Sequence, residues 1–215
     1  MRISHRHRLI FFSFPKTASS TVRHFIDPYC DVRPVPRLVD VTDDNPFHPH
    51  MRPERMREVF DRLGWDFGGY TRFTCVRNPW ARLVSLYHHI RREEAPPPFR
   101  DWLLGLTADD PSEKRLWRRY GAWPLERFVE DRDGNVLVDT VLRTEELDTR
   151  LIPFLQSLGV PVTDDRDVPR RNRSGLGGGY RELYDPSSAG LVRELYAREI
   201  ERFGYRFGDQ ARAAR

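Results

Sequence analysis

Apolar runs alternate along the chain with segments whose apolar residues recur at helical spacing. The short apolar runs predict buried strands at residues 9–12, 37–41, 70–76 and 136–142. Helical spacing predicts helices from Thr21, Pro53 and Pro79, short helices within 99–124, and helices at about 146–158 and 186–203. Strands that alternate with helices indicate an α/β fold, with a mostly parallel sheet covered on both faces, in a single domain over residues 1–215.

The first strand-to-helix corner has the composition of an anion-binding loop. After the strand at 9–12 the chain runs Phe14-Pro15-Lys16-Thr17-Ala18-Ser19-Ser20-Thr21. Pro15 fixes one turn dihedral, and Ser19 or Ser20 is suited to cap the helix. Backbone N–H groups at a helix N-terminus favour an anion, because they are unpaired and lie at the positive end of the helix dipole. Lys16 is one of two lysines among 36 basic residues, which indicates that a compact ammonium is needed there.

The second corner joins the strand at 70–76 to a helix through Arg77-Asn78-Pro79. Asn78 is a suitable helix cap, and Pro79 suits the first helical position. The predicted core face of the helix consists of Leu83, Leu86, Tyr87 and Ile90, and its opposite side of Arg82, Ser85 and His89. Arg77 and Ser85 are therefore expected to converge on one small anion at the carboxyl edge of the sheet.

With both corners in place, the chain resembles the sulfotransferase superfamily that uses 3′-phosphoadenosine-5′-phosphosulfate (PAPS), in the branch of bacterial and carbohydrate sulfotransferases. The first corner is similar to that family's 5′-phosphosulfate loop, Pro-Lys-Thr-x-Ser-Ser-Thr, and the second to its 3′-phosphate motif, Arg-Asn-Pro-x-x-Arg-x-x-Ser-x-Tyr. Similarity continues through residues 141–147, 172–174, 180–184 and 203–207. The resemblance implies a P-loop-like three-layer fold, with a central sheet flanked by helices.

The resemblance also implies a donor site for PAPS, with 3′-phosphoadenosine-5′-phosphate (PAP) as the product. The implied ligands of the 5′ side are Pro15, Lys16, Thr17, Ala18, Ser19, Ser20 and Thr21, and those of the 3′-phosphate are Arg77 and Ser85. Arg173 and Ser174 are assigned to a late segment that closes over the nucleotide. Lys16 is expected to neutralise charge on the leaving phosphate oxygen. No metal is expected, because the transferred group carries less charge than a phosphoryl group and Lys16 supplies a cation.

Histidine is the candidate for proton transfer. His48-Pro49-His50 lies between the two corners, and an imidazole has a suitable pKa for taking a hydroxyl proton near neutrality. Related glycan sulfotransferases have a His-x-His stretch at the corresponding place, so the resemblance assigns the general base to His50 and a supporting role to His48. Spacing alone does not decide between them, and two exposed loop imidazoles are the structural alternative. His88 and His89 are interpreted as ordinary helix residues.

Two other classes fit parts of the sequence. A phosphate-loop nucleotide kinase is one, but Pro15 stands where that motif has glycine before its lysine. A net charge of +4 and a pI near 9.3 permit a nucleic-acid-binding module. The arginines are spread along the chain, however, and no helix-turn-helix, zinc-finger or RNA-binding signature is present, so no nucleic-acid partner is expected.

The remaining expectations concern the setting and the acceptor. Cys30 and Cys75 have no pair-like spacing, and no apolar run is long enough for a signal-peptide core or a membrane span, so we expect reduced thiols, a cytoplasmic location and no membrane insertion. The resemblance implies a bacterial enzyme, because family members of the animal secretory pathway carry a signal anchor. The acceptor carries a hydroxyl, on a glycan, a lipid-linked sugar, a tyrosyl peptide or a small metabolite. Arg115, Arg118 and Arg119 are candidates to meet an acidic glycan. The oligomeric state stays open.

Overall fold

The computed structural model describes residues 1–106, 115–163 and 179–209. Its central sheet has four strands, β1 Arg2–Ser4, β2 Leu9–Phe12, β3 Thr71–Val76 and β4 Thr140–Arg143, in that spatial order. Strands β2, β3 and β4 are parallel, and β1 is an antiparallel edge strand. The mostly parallel sheet predicted from the sequence is therefore confirmed.

Helices cover the sheet on both faces, as the all-apolar sequence of β2 requires. The helices are α1 Ser19–Ile26, α2 Pro53–Leu63, α3 Pro79–Ile90, α4 Phe99–Leu104, α5 Leu116–Gly121, α6 Leu125–Val129, α7 Leu147–Ser157, α8 Pro186–Leu195 and α9 Ala197–Phe203. Ile10 and Phe12 lie in one buried apolar cluster with Trp80 and Phe128, whereas Leu9 and Phe11 lie in a second. The chain thus folds as the predicted three-layer α/β arrangement.

The carboxyl ends of the parallel strands are tied together where the two corners begin. The Thr74 hydroxyl donates to the Phe12 carbonyl oxygen at 2.7 Å, and the Thr144 hydroxyl donates to the Val76 carbonyl oxygen at 2.8 Å. Phe12 is also the register partner of Thr74 in the parallel ladder. The loops that follow β2 and β3 therefore leave the same edge of the sheet side by side.

Several predicted elements are wrong in extent or type. Residues 37–41 form no strand: Leu38–Asp40 is a 3₁₀ turn, which the Arg37–Asp40 ion pair at 2.6 Å closes and in which Val39 is 81% exposed. The last strand begins only at Thr140. The helix predicted over 186–203 is two helices that meet at Tyr196. Strand β1 was not predicted, because its alternation is only three residues long.

Two findings concern the cysteines and the predicted lack of membrane insertion. Cys30 and Cys75 are both free thiols, and Cys75 is fully buried. Among the described residues, no helix has the length and apolar character needed to cross a membrane.

Candidate functional site

The loop between β2 and α1 has an unusual backbone. Lys16 and Ala18 both adopt left-handed conformations, with φ of 66° and 61°, which non-glycine residues rarely do. The Thr17 hydroxyl donates to the Phe14 carbonyl oxygen at 2.8 Å, and the Ser19 hydroxyl donates to the same oxygen at 3.2 Å. The loop is therefore wound around one carbonyl, a strained arrangement of the kind that occurs at ligand sites.

This winding leaves a row of backbone donors without partners. From Lys16 to Ser20, none of the five N–H groups donates a hydrogen bond within the part of the chain that the structure describes. Pairing resumes at Thr21, whose N–H donates to the Ala18 carbonyl oxygen at 2.9 Å. Ala18 rather than a serine is the N-cap of α1, so no side chain occupies the helix end. The corner is thus a cradle of N–H donors for an anion.

The side chains of the loop divide into inward and outward groups. Pro15, Thr17 and Thr21 are buried, Lys16, Ala18 and Ser19 are half-buried, and Ser20 is exposed. The hydroxyl of Thr17 is used inside the loop, whereas the Ser20 hydroxyl accepts from Arg23 at 3.3 Å. The predicted 5′-side ligands therefore include at least one residue, Thr17, whose side chain holds the loop itself.

Lys16 has no carboxylate counter-ion within the ranges that the structure describes. Burial, together with the smaller effects of the nearby guanidinium groups of Arg77 and Arg92, lowers its pKa to about 8. Since an adjacent anion would favour the charged ammonium, Lys16 has the electrostatics of a group that binds an anionic ligand.

Arg77 emerges from the end of β3 into the same region. It is half-buried, burial lowers its pKa, and it makes no hydrogen bond or ion pair with residues in the described ranges. Ser85, two turns into α3, is also half-buried. The structure thus places Arg77 beside Lys16, with Ser85 farther along the same helix that Arg77 precedes.

The second corner is held from behind by Glu145, which the sequence did not single out as a site residue. The Asn78 N–H donates to Glu145 Oε1 at 2.8 Å, and the Tyr205 hydroxyl donates to its Oε2 at 3.1 Å. The Asn78 side chain caps α3 by accepting from the Ala81 N–H at 3.4 Å, as predicted. Glu145 therefore positions the corner, and it lies within the 141–147 segment of family similarity.

His50 contacts the residue that begins the loop between β2 and α1. Its Nδ1 is 2.9 Å from the Ser13 carbonyl oxygen, so Nδ1 carries the proton and Nε2 is the free base. Burial lowers the pKa of His50 to about 4, although the hydrogen bond to Ser13 opposes the shift. His48 is 8% exposed, and burial lowers its pKa to about 4 as well. The pair is therefore not two exposed loop imidazoles, and both rings are neutral at pH 7.

Arg173 and Ser174 lie outside the described residues. Within the described ranges, no group of three His, Cys, Asp or Glu side chains is arranged to hold a metal ion.

Arg82 contradicts the expectation that it shares a surface with Ser85. Its side chain and that of Glu199 are both fully buried, with Nη1 of Arg82 at 3.2 Å from Oε1 of Glu199. The guanidinium also lies over the Phe14 ring at 4.6 Å and donates to the Trp123 carbonyl oxygen at 2.9 Å. Sequence periodicity missed this, because the partner carboxylate is far away in α9. Arg82 thus connects α9 and the residue before Pro15.

We expect Arg82→Met to lower the free energy of unfolding by about 3–5 kcal/mol, because it leaves the Glu199 carboxylate buried without its cation, with only the Leu125 N–H still donating to it at 2.8 Å. The double variant Arg82→Met/Glu199→Met should recover most of that loss, since apolar residues of similar volume often replace a buried pair at little cost. Urea unfolding measures both variants. Equal destabilisation by the single and double variants would show that the ion pair does not account for the effect.

The fold and the site together define an α/β protein in which two strand-to-helix corners, one with N–H donors unpaired among the described residues, lie at the carboxyl ends of adjacent strands. A family model described as "Sulfotransferase family" matches residues 1–206. The chain therefore belongs to the sulfotransferase family.

Comparison with solved structures agrees with this at the level of the fold. The crystal structure of a sulfotransferase from Alicyclobacillus acidocaldarius is similar, with a TM-score of 0.50 and 16% sequence identity. The match covers 90% of this chain and 92% of that one. A search of curated proteins finds no match.

Proposed function

We propose that this protein transfers the sulfuryl group of PAPS to a hydroxyl group of an acceptor. Family membership supports sulfotransfer. The observation that carries the assignment of the donor is the row of five unpartnered N–H groups from Lys16 to Ser20 in the described part of the chain. Beside it are two cations, Lys16 and Arg77, that form no direct ion pair with a described carboxylate, although Glu145 favours the charged form of Arg77. A donor with charged groups at both its 5′ and 3′ positions complements that arrangement.

In this proposal each of the two corners binds a different end of the donor. The N–H cradle and Lys16 bind the 5′-phosphosulfate, and Arg77 and Ser85 bind the 3′-phosphate. The strained loop supports the first assignment, because a backbone that keeps its donors outward needs no reorganisation when the anion arrives. The half-buried guanidinium of Arg77 supports the second, since no described carboxylate forms a direct ion pair with it and a phosphate would supply one.

The proposed reaction is a direct in-line transfer. His50 Nε2 takes the proton of the acceptor hydroxyl as its oxygen attacks sulfur. The bond between sulfur and the bridging phosphate oxygen breaks, and Lys16 and the N–H cradle stabilise the charge that develops on that oxygen. His48 is assigned to positioning the loop that carries His50. No metal takes part, because Lys16 supplies the positive charge and a sulfuryl group carries less charge than a phosphoryl group.

The experiment that tests the proposal is transfer of radiolabelled sulfuryl from PAPS to a panel of hydroxyl acceptors. We expect label in at least one acceptor, with PAP formed in equal amount. Phosphoryl transfer from ATP with Mg²⁺ to the same panel, without sulfuryl transfer, would instead support a phosphate-loop kinase. A carbohydrate acceptor, a bacterial source and a cytoplasmic location stay predictions from the sequence.

A further inference from the structure

One stripe of α3 leads outward from the proposed donor site. Ser85, His89 and Arg92 are spaced i, i+4 and i+7, so they share a helix face. Helical hydrogen bonding continues past Ile90, since the Arg91 N–H donates to the Tyr87 carbonyl oxygen at 3.0 Å and the Arg92 N–H to that of His89 at 3.3 Å. Ser85 and His89 are half-buried and Arg92 is exposed. The stripe therefore runs from the interior to solvent.

This stripe faces Lys16. Arg92 is one of the two guanidinium groups that lower the pKa of Lys16. Burial lowers the pKa of His89, and the positive charge of Lys16 is the next largest cause of that shift. For His88, one residue earlier, burial lowers the pKa first, and the charges that lower it further are those of Arg91 and Arg92, not Lys16. His89 is thus part of the site, although its sequence position gave no sign of it.

Helix α5 packs beside this stripe of α3. A Cβ placed on Gly121 would lie 2.9 Å from the Leu86 side chain and 3.5 Å from Pro15. Helix α5 therefore packs closely on α3, beside the loop between β2 and α1. One turn farther out, the Trp117 and His89 rings make an edge contact with centroids 4.6 Å apart. The two helices are therefore in contact from beside Pro15 outward to His89 and Trp117.

The arginines near the ends of α3 and α5 differ in whether a carboxylate pairs with them. Arg118 pairs with Glu93 at 3.0 Å and with Glu94 at 2.5 Å, and Arg115 pairs with Glu93 at 3.1 Å. These two arginines, expected from the sequence to meet an acidic glycan, are thus occupied by carboxylates. Arg92 has no carboxylate partner among residues 1–106, 115–163 and 179–209.

We propose that the end of α3 binds an anionic group of the acceptor, a carboxylate or sulfate carried close to the reacting hydroxyl, with Arg92 as its charged donor. His89 and Trp117 form the wall against which the acceptor body packs. The inference rests on the proposed function, because it needs the donor to occupy Lys16 and Arg77. With those cations neutralised by the donor, Arg92 is, on this face of α3 in the described residues, a cation without a carboxylate partner that is left for the acceptor. The proton taken from the hydroxyl still goes to His50.

The test compares matched acidic and neutral probes bound to the protein saturated with PAP, which keeps the acidic probes out of the donor site. One pair is methyl glucuronide and methyl glucoside, and the other is 4-hydroxyphenylacetate and its amide, so the two arms separate a saccharide from a phenol. Calorimetry measures each affinity in the unaltered protein, in Arg92→Ala and in Arg91→Ala. Arg91 is the matched control, because it is equally exposed but lies over the Tyr87 ring at 5.9 Å.

In at least one pair, the acidic probe should bind about tenfold more tightly than the neutral one, the scale of a charge-assisted hydrogen bond at an exposed site. Arg92→Ala should reduce that preference to within about twofold, and Arg91→Ala should retain it. No preference in either pair, including no binding of the acids, would overturn the inference, as would a preference that survives Arg92→Ala. A loss of PAP affinity in Arg92→Ala would assign Arg92 to the donor instead. Failure of PAP to bind the unaltered protein would refute the proposed function itself.

Discussion

Lys16→Ala is expected to lower turnover on the order of a hundred- to a thousandfold, the scale for removal of one preorganised group that stabilises developing charge. Alanine keeps the Cβ, so the cost of the left-handed backbone at φ 66° is unchanged and the variant isolates the ammonium. Because the pKa of Lys16 is lowered to about 8 in the folded protein, its charge opposes folding below that pH, and the variant should be no less stable than the unaltered protein. Steady-state turnover and thermal unfolding measure the two effects.

Lys16→Arg should also be slow, because the planar guanidinium is bulkier than the ammonium and cannot enter the same cradle. Arg62→Ala is the control for loss of a positive charge, since Arg62 is an exposed residue of α2 whose nearest carboxylate is 3.9 Å away. Its turnover should match that of the unaltered protein. A fully active Lys16→Ala protein would remove Lys16 from the proposed mechanism.

His50→Ala is expected to lower turnover by roughly a hundred- to ten-thousandfold, the range for loss of a general base. Its affinity for PAP should hardly change, because the proposed donor contacts lie on other residues. His48→Ala should cost less in turnover, since His48 acts through the position of the loop. Turnover near that of the unaltered protein in His50→Ala would make His48 the next candidate for the base.

The pH profile gives an independent check on the same residue. The sequence suggests an ionisation around pH 6 to 7, whereas burial in the structure lowers the pKa of His50 to about 4. His50 is a base only when neutral, so kcat/KM should fall as pH drops through about 4, and this acid limb should be absent in His50→Ala. Bound donor raises the pKa through its negative charge, so the limb in kcat should lie at higher pH than that in kcat/KM.

The sequence predicted what local physics determines. Strand β2 consists of apolar residues, β3 ends in a buried run, and each is followed by a polar corner. Asn78 followed by Pro79 is a strong local start signal for α3, which the structure confirms. Residues 37–41 were mistaken for a strand, because their apolar side chains satisfy strand periodicity while the ion pair between Arg37 and Asp40 closes a turn instead.

The rest of the site depends on packing between distant segments, which periodicity does not report. Arg82 was assigned to a polar face because Glu199, its buried partner, is 117 residues away. The sequence indicates only an ordinary helix residue at His89. Its electrostatic interaction with Lys16 arises only when α3 and α5 pack beside the loop between β2 and α1. The left-handed backbone of Lys16 and Ala18 could not be predicted either, because neither position is a glycine, the residue that usually indicates that conformation.

The central claim, that the two corners bind a nucleotide with a 3′-phosphate, is tested most directly by calorimetric titration of PAP and AMP, which differ only in that group. We expect PAP to bind on the order of a hundredfold more tightly than AMP, from charge-assisted contacts of the 3′-phosphate with Arg77 and Ser85. Arg77→Ala should remove most of the difference and leave the affinity for AMP unchanged. Equal affinities for PAP and AMP in the unaltered protein, or tighter binding of ATP with Mg²⁺ than of PAP, would contradict the account.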